Sequence, residues 1–99
     1  MKLKLKKRVV ITGLGIVAPN GIGLEAFTNA IKNGISGIEF HPELERLKFS
    51  CQIAGTPKIS EEIKQNYFSE LELRSFNSSG ILYGVIAGLD AWKDAGLPI

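Results

Sequence analysis

The first apolar run of the chain predicts a strand that leads into a glycine-rich loop. Residues 8–13 read RVVITG, a β-branched run that ends at a glycine, and this pattern is typical of a short buried strand. The loop that follows extends to Gly23 and contains Asn20-Gly21, a dipeptide that favours a tight turn. We therefore expect a strand and a loop before any helix.

The segment 24–33, LEAFTNAIKN, has the period of an amphipathic helix. Its apolar residues recur every three or four positions, and its polar residues fall on the opposite side. The apolar face consists of Leu24, Phe27, Ala30 and Ile31. Gly34 follows at the position where a left-handed residue commonly ends a helix, so we expect the helix to stop there.

The middle of the chain has weaker patterns, which predict short elements. We expect a short strand in SGIEF (36–40), one helical turn in HPELERLKF (41–49) and a second short strand in CQIAG (51–55). Ser60 precedes two acidic residues, as an N-cap commonly does. We therefore expect a further helix that starts at Ser60 and ends near Tyr67.

The apolar segment near the C-terminus predicts one long helix over residues 75–95. Its charges are confined to the C-terminal end, and apolar side chains face nearly every direction, as in a helix buried on all sides. Three glycines, each costing about 0.5–1 kcal/mol relative to alanine, indicate that another element packs along them. They are Gly80, Gly84 and Gly88. A chain this short cannot easily surround such a helix, so we expect it to be part of a larger protein and to self-associate when alone.

Composition and charge narrow the class of protein. Ninety-nine residues allow one small domain or a piece of a larger one, and 44% hydrophobic with 22% charged residues is the balance of a soluble globular chain. The net charge is +2, but five of the twelve basic residues lie in the segment 2–8, so the remainder is slightly acidic. Nucleic acid is therefore not an expected partner. The lysines of this segment, KLKLKKR, are typical of a protected edge strand.

Neither a membrane segment nor a secretory signal is expected. The apolar run after the basic start is short and is interrupted by Thr12, Gly13 and Gly15, unlike a signal peptide. Residues 80–89 are too few to span a bilayer. A single cysteine excludes an internal disulfide framework and is compatible with a reducing cytosol. We therefore expect a cytoplasmic protein.

The loop GLGIVA at 13–18 fits the pattern G-x-G-x-x-G/A of a dinucleotide-binding turn. A strand is expected before it, and Glu39 lies where a ribose-binding acid would be wanted. Pro19, however, stands where the helix of that motif completes its first turn, and proline keeps the residue before it out of the helical region. The next helix starts only near Leu24, too late to direct its N-terminal amides at a phosphate in this loop. A dinucleotide-binding module stays the weaker alternative, and we expect no cofactor.

Few side chains suggest catalysis or metal binding. Cys51 lies in an apolar segment with no histidine beside it, and we expect it to be a packed core thiol. His41, the sole histidine, is expected on a loop in a surface or structural role, because a metal site would need scattered carboxylates around it. Glu61 and Glu62 are expected as cap acids, and Tyr83 and Trp92 in the core. Ser78 and Ser79 lack the strand-to-helix elbow and the base that a nucleophilic serine needs. We therefore name no catalytic, cofactor-binding or metal-binding residue.

Three stretches in order along the chain carry a family resemblance. They are RVVITGLGIVAPNGIG (8–23), FTNAIKNGISGI (27–38) and YGVIAGLDAWKDAGL (83–97). They resemble the opening strand and loop, the first helix with its exit, and the helix ending in DAGL of the β-ketoacyl-acyl-carrier-protein synthases. IAG at 53–55 falls where that family has a similar triplet. By this resemblance, which covers nearly all of the chain, residues 1–99 are identified as the N-terminal segment of such a condensing enzyme.

The resemblance implies a fold and a reaction. The fold is α/β and thiolase-like, with mixed sheets between helix layers (α-β-α-β-α in the full protein), usually in a homodimer. There the glycine turn would let the first loop pass close to neighbouring backbone. The reaction is a decarboxylating Claisen condensation of acyl groups with malonyl-carrier protein, using a cysteine and paired histidines that lie further along than this chain. Cys51 does not match that cysteine's motif, so we expect the 99-residue chain to be inactive.

The resemblance leaves the partner and the pathway open. Members of the family that synthesise fatty acids commonly carry basic residues before the last helix, where they meet acidic acyl carrier protein. This chain has LELRS at 71–75, in which Glu72 has the wrong sign and Ser75 is uncharged. Either the carrier or its docking surface is specialised, or the start of the helix has simply diverged. Fatty acid or polyketide synthesis, and a non-catalytic partner subunit resembling a chain-length factor, remain alternatives.

Overall fold

The computed structural model describes residues 7–98, which form short helices and two small sheets. In chain order the elements are β1 (Val17–Ala18), β2 (Gly21–Ile22), α1 (Leu24–Lys32), β3 (Ile38–Phe40), α2 (Pro42–Arg46), β4 (Ile53–Gly55), α3 (Glu61–Tyr67), α4 (Glu70–Ser75) and α5 (Ser79–Asp94). β1 pairs with β2, and β3 pairs with β4, both antiparallel. The expected mixture of α and β elements is therefore present.

The predicted buried strand at 8–13 is wrong. These residues have no strand partner within 7–98, and the side chains of Val9 and Ile11 are 95% and 83% exposed. A β-branched run favours the strand conformation, but a strand also needs a neighbour whose amides and carbonyls complete the ladder. The described part of the chain provides no such neighbour. The edge strand expected for KLKLKKR falls largely outside the described residues.

The glycine-rich loop folds into a hairpin and not into a helix, as its turn residues predict. Val17 pairs with Ile22 and Ala18 with Gly21 on either side of a turn formed by Pro19 and Asn20. α1 begins at Leu24, directly after Gly23, whose φ of 93° favours glycine. It ends at Lys32, and Gly34 has the left-handed φ of 66° expected at its C-terminus. The predictions for Pro19 and for both ends of this helix are confirmed.

Pro19 links the first hairpin to the second. The proline lies against Gly37, just before β3, and against Gly55, the last residue of β4. A Cβ added at Gly55 would lie 2.7 Å from Cγ of Pro19, and one added at Gly37 would overlap the proline itself. The two predicted short strands and the predicted helical turn between them are confirmed, although β4 is limited to the IAG triplet. Glycine is therefore needed at both positions where the second hairpin meets Pro19.

Two serine caps define the helices that precede α5. Oγ of Ser60 accepts a hydrogen bond from the amide of Ile63 at 3.3 Å, and α3 ends at Tyr67 as expected. Ser69 and Glu72 form a capping box at the start of α4, in which each side chain bonds the other residue's amide. The predicted single helix over 75–95 is therefore wrong at its start. Ser75 ends α4, and α5 begins only at Ser79.

The buried core is small and lies where α3 and α4 meet α5. Phe68, Leu82 and Ile86 form it, and the rings of Phe68 and Phe76 meet edge to face with centroids 4.9 Å apart. Partly buried side chains surround it: Val17, Ile59, Tyr67, Leu73, Phe76 and Val85. One side of α5 therefore packs inward.

Another side of α5 is exposed within the described residues, which agrees with the expectation that a chain this short cannot surround the helix. Ile81 and Trp92 are 54% and 48% exposed, and a Cβ added at Gly84 or Gly88 would find no atom within 4 Å. The radius of gyration is 17.7 Å, compared with about 12.6 Å for a compact domain of this length. The fold therefore leaves apolar surface uncovered, as expected of a piece of a larger structure. Within residues 7–98, every helix is too short or too polar to traverse a bilayer.

Candidate functional site

The glycine loop at 13–15 packs directly on the backbone of α5. A Cβ added at Gly15 would overlap the carbonyl of Ala87 and lie 2.7 Å from the amide nitrogen of Ala91. One added at Gly13 would lie 2.6 Å from the amide nitrogen of Ala95. Because real Cβ atoms do not approach this closely, only glycine allows the loop to lie on a helix face that presents alanines. The expectation that these glycines serve close approach to neighbouring backbone is confirmed.

An amide inside this loop already has an anionic partner. The backbone N–H of Leu14 donates to Oδ2 of Asp94, the last residue of α5, at 3.0 Å. In a dinucleotide-binding turn, loop amides and the N-terminus of the next helix face the pyrophosphate. Here the loop faces a carboxylate at a helix C-terminus, which would repel a phosphate. The β1–β2 hairpin also separates the loop from the N-terminus of α1.

Glu39, the candidate ribose-binding acid, lies on β3 and forms an ion pair with Lys58. Nζ of Lys58 lies 2.8 Å from its carboxylate, and this hydrogen-bonded ammonium lowers the pKa of Glu39 below its usual value. Both side chains are more than half exposed. They border an open cleft of about 450 Å³ that also includes Pro19, Asn20 and Ser36. Asn20 donates its side-chain amide to the carbonyl of Ile35 at 3.1 Å, so the cleft's polar groups are used within the fold.

Cys51 is exposed, so the prediction of a packed core thiol is wrong. Its Sγ lies 3.6 Å from the carbonyl oxygen of Ile53, as a weak hydrogen bond on the loop before β4. His41 holds the N-cap position of α2, and its backbone amide donates to the carbonyl of Gln52 at 2.8 Å, which agrees with a structural role. Among residues 7–98, no group of three or more histidine, cysteine or acidic side chains could hold a metal ion.

The remaining aromatic and acidic candidates lie on helices. Trp92 is about half exposed, against the expectation of core burial, and its Nε1 donates to the carbonyl of Pro98 at 2.7 Å. Tyr83 is half-buried. Glu61 and Glu62 lie in the first turn of α3, as expected of cap acids. Ser78 is the N-cap residue of α5 but makes no side-chain capping bond. These side chains therefore form no catalytic group in the described part of the chain.

A polar cluster that the sequence analysis did not identify joins α3 to α5. The hydroxyl of Tyr67 donates to Oδ1 of Asp90 at 2.6 Å, and Nζ of Lys93 lies 5.7 Å from the centre of the tyrosine ring. Burial, followed by the bond to the carboxylate, raises the pKa of Tyr67 to about 12. The available signal was Asp90 itself, the first charge in an otherwise apolar helix.

The segment at the expected carrier-docking position is occupied by local contacts. Oε1 of Glu72 accepts from the amide of Ser69 at 3.2 Å and lies 3.0 Å from its Oγ. Arg74, the only base of this segment, lies 3.0 Å from the carboxylate of Glu70. The negative sign at position 72 therefore has a structural cause, since a capping box requires an acid or amide at that position of the helix.

Comparison with known proteins identifies one family, whose match covers nearly the whole chain. The model described as "Beta-ketoacyl synthase, N-terminal domain" matches residues 6–99. Similar proteins include 3-oxoacyl-[acyl-carrier-protein] synthase 1 of Buchnera aphidicola subsp. Schizaphis graminum, which is 34% identical over 91 residues. Synthase 2 of Vibrio cholerae serotype O1 is 34% identical over 94 residues, and chloroplastic synthase I of Arabidopsis thaliana is 30% identical over 92.

These alignments cover most of this chain but only a small part of each relative. They include 92%, 95% and 93% of the chain, and 22%, 22% and 19% of the three relatives. The chain therefore spans about a fifth of the length of the curated relatives it matches. The glycine loop, both hairpins and α5 all lie within the matched residues.

Proposed function

The chain belongs to the β-ketoacyl synthase family, and we propose that it is the N-terminal segment of a 3-oxoacyl-acyl-carrier-protein synthase. The observation that carries this proposal is the match of residues 6–99 to the N-terminal domain of the family. The packing of Gly13 and Gly15 on α5 supports it, because it gives the glycine turn a purpose other than nucleotide binding. Residues 1–99 then form part of one domain, whose remainder lies outside this chain.

The proposed reaction of the whole protein is a decarboxylating condensation. An acyl group leaves the phosphopantetheine sulfur of a carrier protein and forms a thioester with an enzyme cysteine. Malonyl-carrier protein then loses carbon dioxide, and the electron pair of the broken bond attacks the thioester carbon and expels the cysteine thiolate. Covalent capture divides the difficult step in two, and oriented donors stabilise the oxyanions. The product is a 3-oxoacyl group on the carrier protein.

This chain would supply scaffold to that reaction. Cys51 is exposed and has only the carbonyl of Ile53 as a partner, so no adjacent base activates it within the described residues. We therefore propose that the 99-residue chain is inactive by itself. In the complete protein the side of α5 that carries Ile81, Gly84 and Gly88 would lie inside a layered thiolase-like fold, which is consistent with its exposed apolar surface in this chain.

The acyl carrier protein is the proposed partner of the whole protein. Glu72 is committed to the capping box, and Arg74 is paired with Glu70. These contacts favour a diverged helix start over a change of carrier as the reason for the unusual charges. Docking would then rely on basic residues outside α4. A homodimer and a cytoplasmic location are proposed with the function, and the pathway is fatty acid or polyketide synthesis.

One experiment tests the function and its first alternative. The complete gene product and the 99-residue chain are each incubated with acyl- and malonyl-carrier proteins, and 3-oxoacyl product and carbon dioxide are measured. We expect product only from the complete protein. A complete protein that binds carrier but makes no product would support the partner subunit resembling a chain-length factor. Turnover by the 99-residue chain would contradict the assignment of the cysteine and histidines to the remainder.

The dinucleotide alternative has a separate test. Trp92 is the single tryptophan of the chain, so a change in tryptophan fluorescence can be assigned to this residue. Titration of the 99-residue chain with NADPH is expected to leave the emission unchanged apart from linear absorption by the ligand. Saturable binding at micromolar concentration would revive the nucleotide site.

A further inference from the structure

Residues 8–12, called here the unpaired segment, have both their apolar side chains and their backbone exposed. Val9, Val10 and Ile11 are 95%, 65% and 83% exposed. Within residues 7–98, no amide or carbonyl of this segment takes part in a hydrogen bond. β-branched side chains and free backbone groups are together what one strand offers to another. The unpaired segment is therefore a surface suited to a second strand.

The order of side chains in the unpaired segment indicates an interior strand. Successive residues of a strand point to opposite faces of a sheet, so Val9 and Ile11 lie on one face and Val10 on the other. A strand with one face in water alternates apolar and polar residues, whereas a strand covered on both faces is apolar without a break. Three consecutive apolar residues fit the second case, in which strands also lie along both edges.

The glycine loop fixes the direction of the unpaired segment relative to α5. Gly15 lies on the backbone at Ala87 and Ala91, and Gly13 lies on the backbone at Ala91 and Ala95. Two residues of the loop therefore pass four residues of helix, which matches about 6.6 Å of extended chain against about 6 Å of helix. This spacing is that of an extended chain antiparallel to α5. The unpaired segment thus enters the loop from the C-terminal end of the helix.

The chain leaves α5 at that same end. Gly96 has the left-handed φ of 73° and ends the helix. Nε1 of Trp92 donates to the carbonyl of Pro98 at 2.7 Å and holds the departing chain against the last turn. Pro98 follows Ala95 by three residues, so it lies within about 11 Å of the residue on which Gly13 packs. A strand that continues from here starts beside the unpaired segment.

The direction of such a strand follows from the direction of α5. A helix that packs antiparallel to one strand brings the chain back to the end where that strand began, and the next strand then runs parallel to the first. Parallel neighbours in a sheet are connected by this kind of crossover. This chain covers only 22% of its relative from Buchnera aphidicola, so the complete protein proposed above continues well beyond α5.

We propose that the unpaired segment becomes an interior strand in the complete protein, and that the polypeptide immediately after α5 forms its parallel neighbour. The occupant is thus the remainder of the same polypeptide. The inference rests on the proposed function only in taking this chain as the N-terminal segment of a longer protein.

A second copy of the chain is a weaker occupant than the remainder. The polypeptide after α5 is tethered within about 11 Å of Ala95, which gives it an effective concentration that a separate molecule does not reach. A second copy would also compete for this edge with the residues that follow Pro98 in the complete protein. The remainder therefore occupies the edge first.

Hydrogen exchange tests the pairing. In the complete gene product we expect the amides of Val9 to Thr12 to exchange at least a hundredfold more slowly than in the 99-residue chain. The control is the amide of Ile86, which is fully buried in α5 and should be slow in both. Rapid exchange at Val9 to Thr12 in the complete protein would overturn the inference. Condensing activity is measured on the same sample, so a protein that is active but unprotected overturns this inference alone, and one that is protected but inactive overturns the proposed function alone.

Two neighbouring proline substitutions test whether both edges are paired. Adjacent amides of a strand point to opposite edges, so a strand with one neighbour tolerates proline at one of two adjacent positions. We expect Val10→Pro and Ile11→Pro each to lower the melting temperature of the complete protein by about 5 °C or more. The control Val10→Ile keeps the amide and should change it by less than about 2 °C. No loss for either proline variant would overturn the interior position.

Photo-cross-linking identifies the neighbour. A diazirine-bearing side chain replaces Val10 in the complete protein, and the cross-linked peptides are identified by mass spectrometry. Loops between helices and strands commonly have 2–6 residues and strands about 5–6, so we expect an intramolecular cross-link within about 20 residues after position 99. Cross-links that join two copies of the protein, or that reach only more distant parts of the remainder, would overturn the proposed neighbour.

Discussion

The backbone amide of Leu14 and the carboxylate of Asp94 meet at 3.0 Å although they are 80 positions apart in the sequence. The bond holds the glycine loop against the C-terminal end of α5, where Gly13 and Gly15 lie on the helix backbone. It places a negative charge where a nucleotide-binding loop would receive a phosphate. The same glycine pattern is therefore compatible with a nucleotide-binding loop and with a loop that packs on a helix. The partner of the loop amide distinguishes the two.

Removal of the Asp94 carboxylate should loosen this loop. We expect Asp94→Ala to lower the free energy of unfolding by about 1 kcal/mol, because the amide of Leu14 loses a charged acceptor at an exposed position. Asp94→Asn keeps an acceptor oxygen and should lose less. Urea unfolding followed by circular dichroism at low protein concentration measures both. Equal stability of Asp94→Ala and the unaltered chain would show that the bond contributes nothing.

Two glycines provide a matched pair of substitutions with opposite expected signs. Gly15→Ala forces a methyl group into the carbonyl of Ala87 and should destabilise the fold by about 1–3 kcal/mol. Gly84→Ala adds a methyl group in open space within a helix and should stabilise the dilute chain by about 0.5–1 kcal/mol. Thermal unfolding of the two variants measures both changes in stability. Destabilisation by Gly84→Ala in the monomer would mean that its surroundings are not open.

The serine caps of α3 and α4 should each contribute to stability. Ser60→Ala and Ser69→Ala are expected to cost about 1 kcal/mol each, since each removes a bond to a free helix amide. Ser78→Ala is the control, because the Ser78 side chain makes no capping bond although it precedes α5. Chemical unfolding compares the three variants. A loss for Ser78→Ala as large as the others would attribute the effect to something other than capping.

The bond between Tyr67 and Asp90 should make stability fall at high pH. The pKa of Tyr67 rises from 10.0 to about 12 in the folded chain, so the unfolded chain releases this proton first as pH increases. Stability should therefore be independent of this group below pH about 10 and decrease between about 10 and 12. Tyr67→Phe should show a shallower decrease, because this group no longer contributes. Identical profiles from pH 9 to 12, about the range of this titration, would contradict the raised pKa.

Local signals predicted the elements whose ends depend on neighbouring residues. Pro19 kept the glycine-rich loop out of a helix, Gly34 ended α1, and Ser60 started α3. Each acts through its own backbone or through an amide within a few residues. The α4 capping box of Ser69 and Glu72 was also visible in the sequence. The apolar run after it dominated the pattern, however, so the predicted last helix began at residue 75, before the observed start of α5 at Ser79.

Predictions that depend on distant parts of the chain were less accurate. The run containing Val9 and Ile11 was expected to be a buried strand, and Cys51 and Trp92 were expected in a core, yet all are exposed in the described fold. A sequence pattern reports which residues are suited to burial, while burial itself requires a partner. Prediction of the candidate site from the sequence had the same limit. The bond from Leu14 to Asp94 joins residues whose association no local pattern predicts.

The position of Pro19 between Gly37 and Gly55 has a consequence for local unfolding. Neither two-stranded ladder is long enough to persist in isolation, and Pro19 of the first hairpin contacts both Gly37 and Gly55 of the second. The two ladders should therefore open together as one cooperative unit, and their amides should exchange with deuterium at a common rate. A bulkier residue at position 37 or 55 would uncouple them and let each exchange independently.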